Sequence, residues 1–138
     1  MLADWAQEIG GKLYIQGGGF SRLYGGGHPS DFALAGKVLV PWDQTNRQLD
    51  MAFRLFDEDG GAVLDENQKQ VALQGKLEVG RPPGLTLGTE LDMPFAVGVR
   101  GLTLQAGRYR WELSVGGDPV ADVVFDVLAP PGTPAMPG

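Results

Sequence analysis

The feature that most constrains this chain is an alternating stretch at residues 108–115, RYRWELSV. Successive side chains of a strand point to opposite faces, so alternation lays one apolar row on a core and one polar row toward solvent. Leu104, Gly107 and Tyr109 also have the L-x-x-G-x-Y spacing of the tyrosine corner of Greek-key sandwiches. The stretch therefore predicts a core strand of a β-sandwich. The apolar row is Tyr109, Trp111, Leu113 and Val115, and the polar row is Arg108, Arg110, Glu112 and Ser114.

The rest of the chain repeats this pattern in short segments. The 22 glycines and 10 prolines leave few windows in which an ordinary helix could run. We therefore predict an all-β chain, an antiparallel, immunoglobulin-like Greek-key β-sandwich of eight or nine short strands without a substantial helix. A partly open β-barrel is the alternative. The predicted strands are residues 2–9, 12–17, 32–40, 48–57, 71–79, 93–100, 108–115 and 120–128.

The chain length of 138 residues suits one domain. We assign residues 1–128 to a single β-sandwich domain and residues 129–138, which contain four prolines, to a proline-rich tail. Two triple-glycine runs predict a long, adaptable loop over residues 17–31, because ordering glycine costs more backbone entropy than ordering other residues. The diproline in residues 80–84 predicts that the chain leaves the sheet there. Core packing is expected for Trp5 and Trp42, and no internal repeat is evident.

Several motifs together resemble a known family. They are GKLYIQGGGF near the N-terminus, VPWDQTN, RLFDEDG, EVGRPPGL and, near the C-terminus, AGRYRWELSVGG. The chain is similar over nearly its whole length to a family of small uncharacterised bacterial single-domain β-sandwich proteins. The resemblance implies the β-sandwich fold. It implies no activity and no catalytic or binding residue.

Charge and residue usage narrow the expected partners. A net charge of −6 repels phosphate backbones and anionic membrane surfaces, so we expect neither nucleic acid nor membrane as a partner. The sequence has no cysteine, which suits a reducing compartment. Residues 1–9 lack the basic region and apolar core of a signal peptide. We therefore expect a cytoplasmic protein.

Catalytic chemistry finds little support in the sequence. His28 is the single histidine, and a triad would have to combine it with Ser21 or Ser30 and Asp31 in one glycine-rich segment. Such a segment lacks the preorganisation that nucleophilic catalysis needs. The glycine runs match neither the P-loop nor the dinucleotide fingerprint. We expect no enzymatic activity and no cofactor.

An acidic turn offers a partial calcium-loop pattern. Asp57 and Asp59 begin a DxDG sequence, but the further ligands of a complete calcium loop are missing. The same residues are typical of a hairpin turn. We predict no metal site and keep this pair as the candidate if calcium binds.

The remaining hypothesis is a contact surface. A 15-residue glycine-rich loop on a compact scaffold is longer than most connections, and such loops are often functional. Arg81 lies between a glycine and a rigid diproline, which favours a positioned guanidinium; an internal salt bridge is the alternative. We predict a non-catalytic module that binds another protein or itself through its long loops. The alternative is a carbohydrate- or calcium-dependent binding module that uses Trp42, Tyr24 or the acidic turn. The predicted contact residues are Phe20, Arg22, Tyr24, His28 and Arg81.

Overall fold

The computed structural model describes residues 1–130, which form two β-sheets packed face to face. One short 3₁₀ turn, Trp42–Gln44, is the helical element in this part of the chain. The nine strands are β1 (Leu2–Ile9), β2 (Lys12–Phe20), β3 (Arg22–Tyr24), β4 (Pro29–Val40), β5 (Gln48–Asp57), β6 (Ala72–Glu78), β7 (Leu91–Thr103), β8 (Gly107–Val115) and β9 (Asp118–Leu128).

The strands divide into a four-stranded sheet of order β2-β1-β4-β7 and a five-stranded sheet of order β3-β9-β8-β5-β6. Neighbouring strands are antiparallel except β3, which runs parallel to β9. The predicted all-β sandwich is confirmed, and the curl of one of the two sheets gives it some of the character of the open-barrel alternative. Among residues 1–130, no helix is long and apolar enough to cross a membrane.

Strand β8 occupies the centre of the core, between β5 and β9. Trp111 is 1% exposed and meets Phe32 of the opposite sheet edge to face, with ring centroids 6.5 Å apart. The Tyr109 hydroxyl donates a 2.9 Å hydrogen bond to the Gln105 carbonyl, which confirms the tyrosine corner. The predicted solvent exposure of one residue of β8 is wrong. Ser114 is buried rather than solvent-facing, because its hydroxyl accepts a 3.1 Å hydrogen bond from Arg54.

Residues 17–31 do not form the predicted loop. Strand β2 continues to Phe20, and β3 follows directly. Glycine permits this because Gly17 and Gly19 adopt φ values of 59° and 86°, which L side chains rarely reach. The extra residue forms a bulge, since Ala3 pairs with Gly18 while Leu2 pairs with Phe20. The first glycine run is therefore a bulged strand.

The second glycine run allows close approach of backbones. The amides of Gly25 and Gly26 both donate to the Leu128 carbonyl, at 3.2 and 2.8 Å, and Gly27 donates to the Leu104 carbonyl at 2.8 Å. A Cβ at Gly26 would lie 3.0 Å from the Ala106 nitrogen. The run is a hydrogen-bonded turn between the sheets, and no long loop exists at residues 17–31.

A short internal repeat, missed in the sequence, begins at the end of β5 and leads to β6. Residues 55–62 and 63–70 make two successive turns of the same form. Asp57 Oδ1 accepts the amides of Asp59 and Gly61 at 3.0 and 2.8 Å. Asp65 Oδ1 accepts those of Asn67 and Lys69 at 2.8 and 3.0 Å. The second turn has Gln68 where the first has Gly60, so a comparison of glycine positions does not reveal the repeat.

Two further expectations concern the tryptophans and the tail. Core packing of Trp5 is wrong: its side chain is 44% exposed on β1. Trp42 is half-buried at the surface rather than in the core cluster. The predicted proline-rich tail falls largely on residues 131–138, which lie outside the described residues.

Candidate interaction surfaces

The five residues predicted to contact a partner have different surroundings. Phe20, at the end of β2, is partly buried and packs against the core. Arg22 and Tyr24 lie on the short strand β3, where Tyr24 is 65% exposed. His28 is exposed in the turn before β4. The structure thus places four of them in one continuous stretch, whereas Arg81 contacts a separate turn.

Arg81 binds the connection between β4 and β5. Its Nε donates to Thr45 Oγ1 at 2.6 Å and its Nη2 to the Trp42 carbonyl at 2.7 Å. The guanidinium also lies 4.2 Å from the centre of the Trp42 ring, a cation–π contact. Arg81 therefore has internal partners, though not the carboxylate of the expected salt bridge. One face of Trp42 is covered, which leaves less of the ring for stacking on a sugar.

A charged cluster lies where β3, β9 and β8 meet. Arg108 contacts the Asp126 carboxylate through Nε at 2.8 Å and Nη2 at 3.4 Å, and Arg22 is paired with Asp126 across the strands. The Arg108 hydrogen bond, aided by the charges of Arg108 and Arg22, lowers the pKa of Asp126. The same hydrogen bond raises the pKa of Arg108. Predicted contact residue Arg22 thus lies beside the ion pair of Arg108 and Asp126.

The outer face of β8 continues this network. Arg110 lies 2.9 Å from Glu112 and 3.8 Å from Asp122, and its guanidinium is 4.8 Å from the centre of the Phe56 ring. Charges that neutralise one another at short range leave little net field for a ligand. This face is therefore a poor electrostatic site despite its many charged residues.

The acidic turn uses its principal carboxylate internally. Asp57 Oδ1 accepts the Asp59 and Gly61 amides, so this oxygen already has two donors. Within residues 1–130, no three His, Cys, Asp or Glu residues cluster in a way that could hold a metal ion. The geometry is that of a hairpin turn, and it gives the calcium alternative no specific support.

The hairpin of β1 and β2 exposes several apolar side chains. Beyond Met1, β1 pairs with β4 only at Leu2 and Ala3, whereas its pairing with β2 continues to Ile9. From Asp4 onward the hairpin is a two-stranded ribbon. The cross-strand register places three exposed apolar side chains on one of its faces. They are Trp5, Ile9 and Tyr14, with exposed fractions of 44%, 52% and 50%.

The other face of the ribbon carries both apolar and charged side chains. It carries Asp4, Ala6, Glu8, Leu13 and Ile15, and Ile15, which was expected to face inward, is exposed. Neither face is wholly apolar, so neither is suited to burial in a core. The joint at Gly10 and Gly11 predicts the hairpin itself, which the pairing of β1 with β2 confirms. The exposure of its two faces was not predicted, because the strands that could cover them are distant in sequence. The available signal was that charged residues occur on both faces of the paired strands.

We compared the chain with solved structures. The alkylpurine DNA glycosylase AlkC from Pseudomonas fluorescens, bound to DNA containing an abasic site analog, matches with 13% sequence identity and a TM-score of 0.47. The match covers 79% of this chain and 28% of the glycosylase chain, so this chain spans less than a third of that protein's length. A similarity at this level does not transfer the activity of the glycosylase to this chain.

This comparison corrects two expectations from the sequence. We expected no enzymatic activity and no nucleic acid partner, whereas the matching structure is an enzyme bound to DNA. Net charge was the main reason for excluding nucleic acid, but it describes the whole chain and not one local surface. The sequence-based exclusions of enzymatic activity and of a nucleic acid partner are therefore withdrawn.

Sequence comparison identifies the family. A search of curated proteins finds no match. A family model matches residues 1–128, so the match ends at the last residue of β9. The expectation of an uncharacterised family is confirmed, and the chain belongs to the family of unknown function DUF6941.

Proposed function

We propose that this protein is an interaction module that contacts another protein through the ribbon of residues 4–17. The observation that carries the proposal is the row of Trp5, Ile9 and Tyr14 on one face of that ribbon. Aromatic side chains contribute disproportionately to protein contacts, because they bury a large area at low entropic cost. The proposal keeps the predicted type of function and moves its surface from loops to a hairpin.

The edge of the ribbon adds a second means of contact. Strand β2 is the outermost strand of its sheet, so one side of its backbone has unpaired N–H and C=O groups. An isolated two-stranded hairpin is marginally stable in water. A partner that covers the Trp5 face would therefore both bury apolar area and stabilise the ribbon.

Site-specific photo-cross-linking tests the proposal. A photoreactive phenylalanine analogue at Tyr14 should give discrete cross-linked products in an extract of the native cell. The matched control is the same analogue at Leu87, which is 84% exposed in the connection between β6 and β7. Equal products from both positions, or products from neither, would contradict the proposal.

A third labelled position separates the ribbon from the surface predicted in the sequence. Tyr24 is more exposed than Tyr14 and lies on β3, among the predicted contact residues. The analogue at Tyr24 should give no specific product if the ribbon is the contact surface. Products from Tyr24 alone would favour the surface of Arg22, Tyr24 and His28 instead.

We also propose a cytoplasmic location. The support is the absence of cysteine from the sequence, which suits a reducing compartment. Fractionation of the native cell, with an antibody against this protein, tests the location. Recovery in a secreted or membrane fraction would contradict it.

A further inference from the structure

A cleft lies at the end of the sandwich where β4 and β8 end and where β5 and β9 begin, and we name it the end cleft. It lies between the sheets, because it is lined by Val38 and Val40 of β4 on one side and by Leu49 of β5 and Val115 of β8 on the other. Its volume is about 450 Å³. Small-molecule sites occupy roughly 300–1,000 Å³, so the end cleft has room for a small ligand.

The walls of the end cleft continue the hydrophobic core. Val40 is buried, and Val38 and Val115 pack against the core cluster. Val120 of β9, which also lines the cleft, is exposed. Removing apolar surface from water favours association, so a ligand with an apolar part gains free energy by entering the cleft.

Two opposite charges border this apolar cleft. Arg47 lies two residues before Leu49, the first residue of the apolar row of β5, and both residues line the cleft. On β9, Asp118 pairs with Val115 of β8, so it lies on the same face of the sheet as this core-packed valine. Asp118 also lines the cleft. A guanidinium and a carboxylate are therefore both available to one ligand.

Neither of these charges is used within the described part of the chain. Among residues 1–130, Arg47 and Asp118 form no ion pair, with each other or with any other residue. Both residues are exposed, so a ligand can reach them. A ligand with a single charge would leave the other charge of the cleft without a partner. A zwitterion satisfies both.

The backbone that carries each charge is held by hydrogen bonds. Next to Arg47, the Asn46 amide donates to the Val79 carbonyl at 2.7 Å. In the turn before Asp118, the Gly116 amide donates to the Asp50 carbonyl at 2.8 Å. A ligand therefore has to order only the two side chains and not the chain that carries them, which lowers the entropic cost of binding.

We propose that the end cleft binds an apolar amino acid in its zwitterionic form. Arg47 binds the carboxylate of the ligand, because the N–H groups of a guanidinium match the two oxygens of a carboxylate. Asp118 binds the ammonium group, and the apolar side chain of the ligand contacts the valines of the walls. This site is separate from the ribbon of residues 4–17 and does not depend on the function proposed for it.

Titration of the whole protein with leucine, followed by nuclear magnetic resonance, tests the proposal. The methyl signals of Val40 and Val115 should shift and saturate, while those of Val99, which pairs with Phe32 far along β4, should not. Three matched compounds each lack one part of leucine: 4-methylpentanoate the amine, leucine amide the carboxylate and glycine the apolar side chain. Each should bind at least about tenfold more weakly. No shift at Val40 and Val115, or equal binding of leucine and any of the three, would overturn the proposal.

Two variants assign each charge to its part of the ligand. Arg47→Gln should weaken leucine binding by about tenfold and make leucine and leucine amide bind equally. Asp118→Asn should weaken it to a similar extent and make leucine and 4-methylpentanoate bind equally. Arg100→Gln, at an exposed arginine of β7 outside the cleft, is the control and should leave leucine binding unchanged. Unchanged leucine affinity in either cleft variant, or an equal loss in the control, would overturn the proposal.

Discussion

Strand β8 and the ribbon of β1 and β2 have similar alternating sequences but different surroundings. In β8 the alternate apolar residues meet neighbours on both sides, β5 and β9, and the opposite sheet covers them. In the ribbon, β1 beyond Ala3 is hydrogen-bonded to one strand, β2. The result is a tryptophan 1% exposed in β8 and one 44% exposed in β1. Alternation therefore indicates a strand, whereas burial depends on partners that are distant in sequence.

The largest expected effect separates the two tryptophans directly. Trp111→Ala should lower the free energy of unfolding by about 3 to 5 kcal/mol, because it removes a buried ring and leaves a cavity. Trp5→Ala is the matched control and should cost less than about 1 kcal/mol, as for other surface changes. Chemical denaturation measures both. Similar losses for the two variants would contradict the assigned difference in burial.

Alanine substitutions at two glycines within strands should have smaller effects on stability. A Cβ at Gly36 of β4 would lie 2.8 Å from the Phe95 ring, whereas one at Gly75 of β6 meets nothing within 4 Å. Gly36→Ala should destabilise the protein by about 1 to 3 kcal/mol through overpacking. Gly75→Ala should instead stabilise it by about 0.4 to 1 kcal/mol, through lower entropy of the unfolded chain. Thermal unfolding distinguishes the two, and equal shifts would show that β4 is no more tightly packed than the edge strand.

The tyrosine corner gives the third effect. Tyr109→Phe removes the hydrogen bond to the Gln105 carbonyl and should cost about 0.5 to 1.5 kcal/mol. Tyr14→Phe on the ribbon, where Tyr14 is 50% exposed, is the control and should change stability very little. Denaturation midpoints measure both changes. A neutral Tyr109→Phe would mean that the corner does not stabilise the entry to β8.

The smallest effect concerns the pKa of Asp126. Because Arg108 lowers this pKa in the folded protein, the pair stabilises the fold at pH values above the usual carboxyl pKa of 3.8. This stabilisation is lost as the pH falls through the lower pKa of the folded protein. In Arg108→Gln, the pKa of Asp126 should return toward 3.8. A carboxyl-carbon titration by nuclear magnetic resonance measures it. An unchanged pKa in the variant would exclude Arg108 as the cause.

Local alternation was enough to predict much of the fold. Strand β5 has the predicted bounds, Gln48–Asp57, because its apolar residues Leu49, Met51, Phe53 and Leu55 alternate on one face, although Phe56 lies on the other. Gly10 and Gly11 join β1 and β2 in left-handed conformations, as a tight hairpin requires. A glycine within a strand often marks a close approach, and a Cβ at Gly36 would lie 2.8 Å from the Phe95 ring.

The parts that could not be predicted depend on contacts distant in sequence. Arg81 is held by Thr45, which is 36 residues away, and Ser114 is buried through Arg54, which is 60 residues away. The triple glycines predicted a flexible loop because glycine loses much backbone entropy when it is ordered. That prediction did not include the strand bulge, which the positive φ values of glycine allow. The hairpin of β1 and β2 was predicted, whereas the exposure of both its faces was not, because burial depends on strands elsewhere in the chain. Each failure concerns a partner that a linear pattern does not identify.

Hydrogen exchange of the whole protein, alone and with the partner recovered by Tyr14 cross-linking, tests the central difference between β8 and the ribbon. Residues 4–17 should exchange rapidly in the free protein and more slowly in the complex, while residues 107–115 stay protected in both. A ribbon as protected as β8 in the free protein would contradict the account. So would a complex that slows exchange elsewhere but leaves residues 4–17 unchanged.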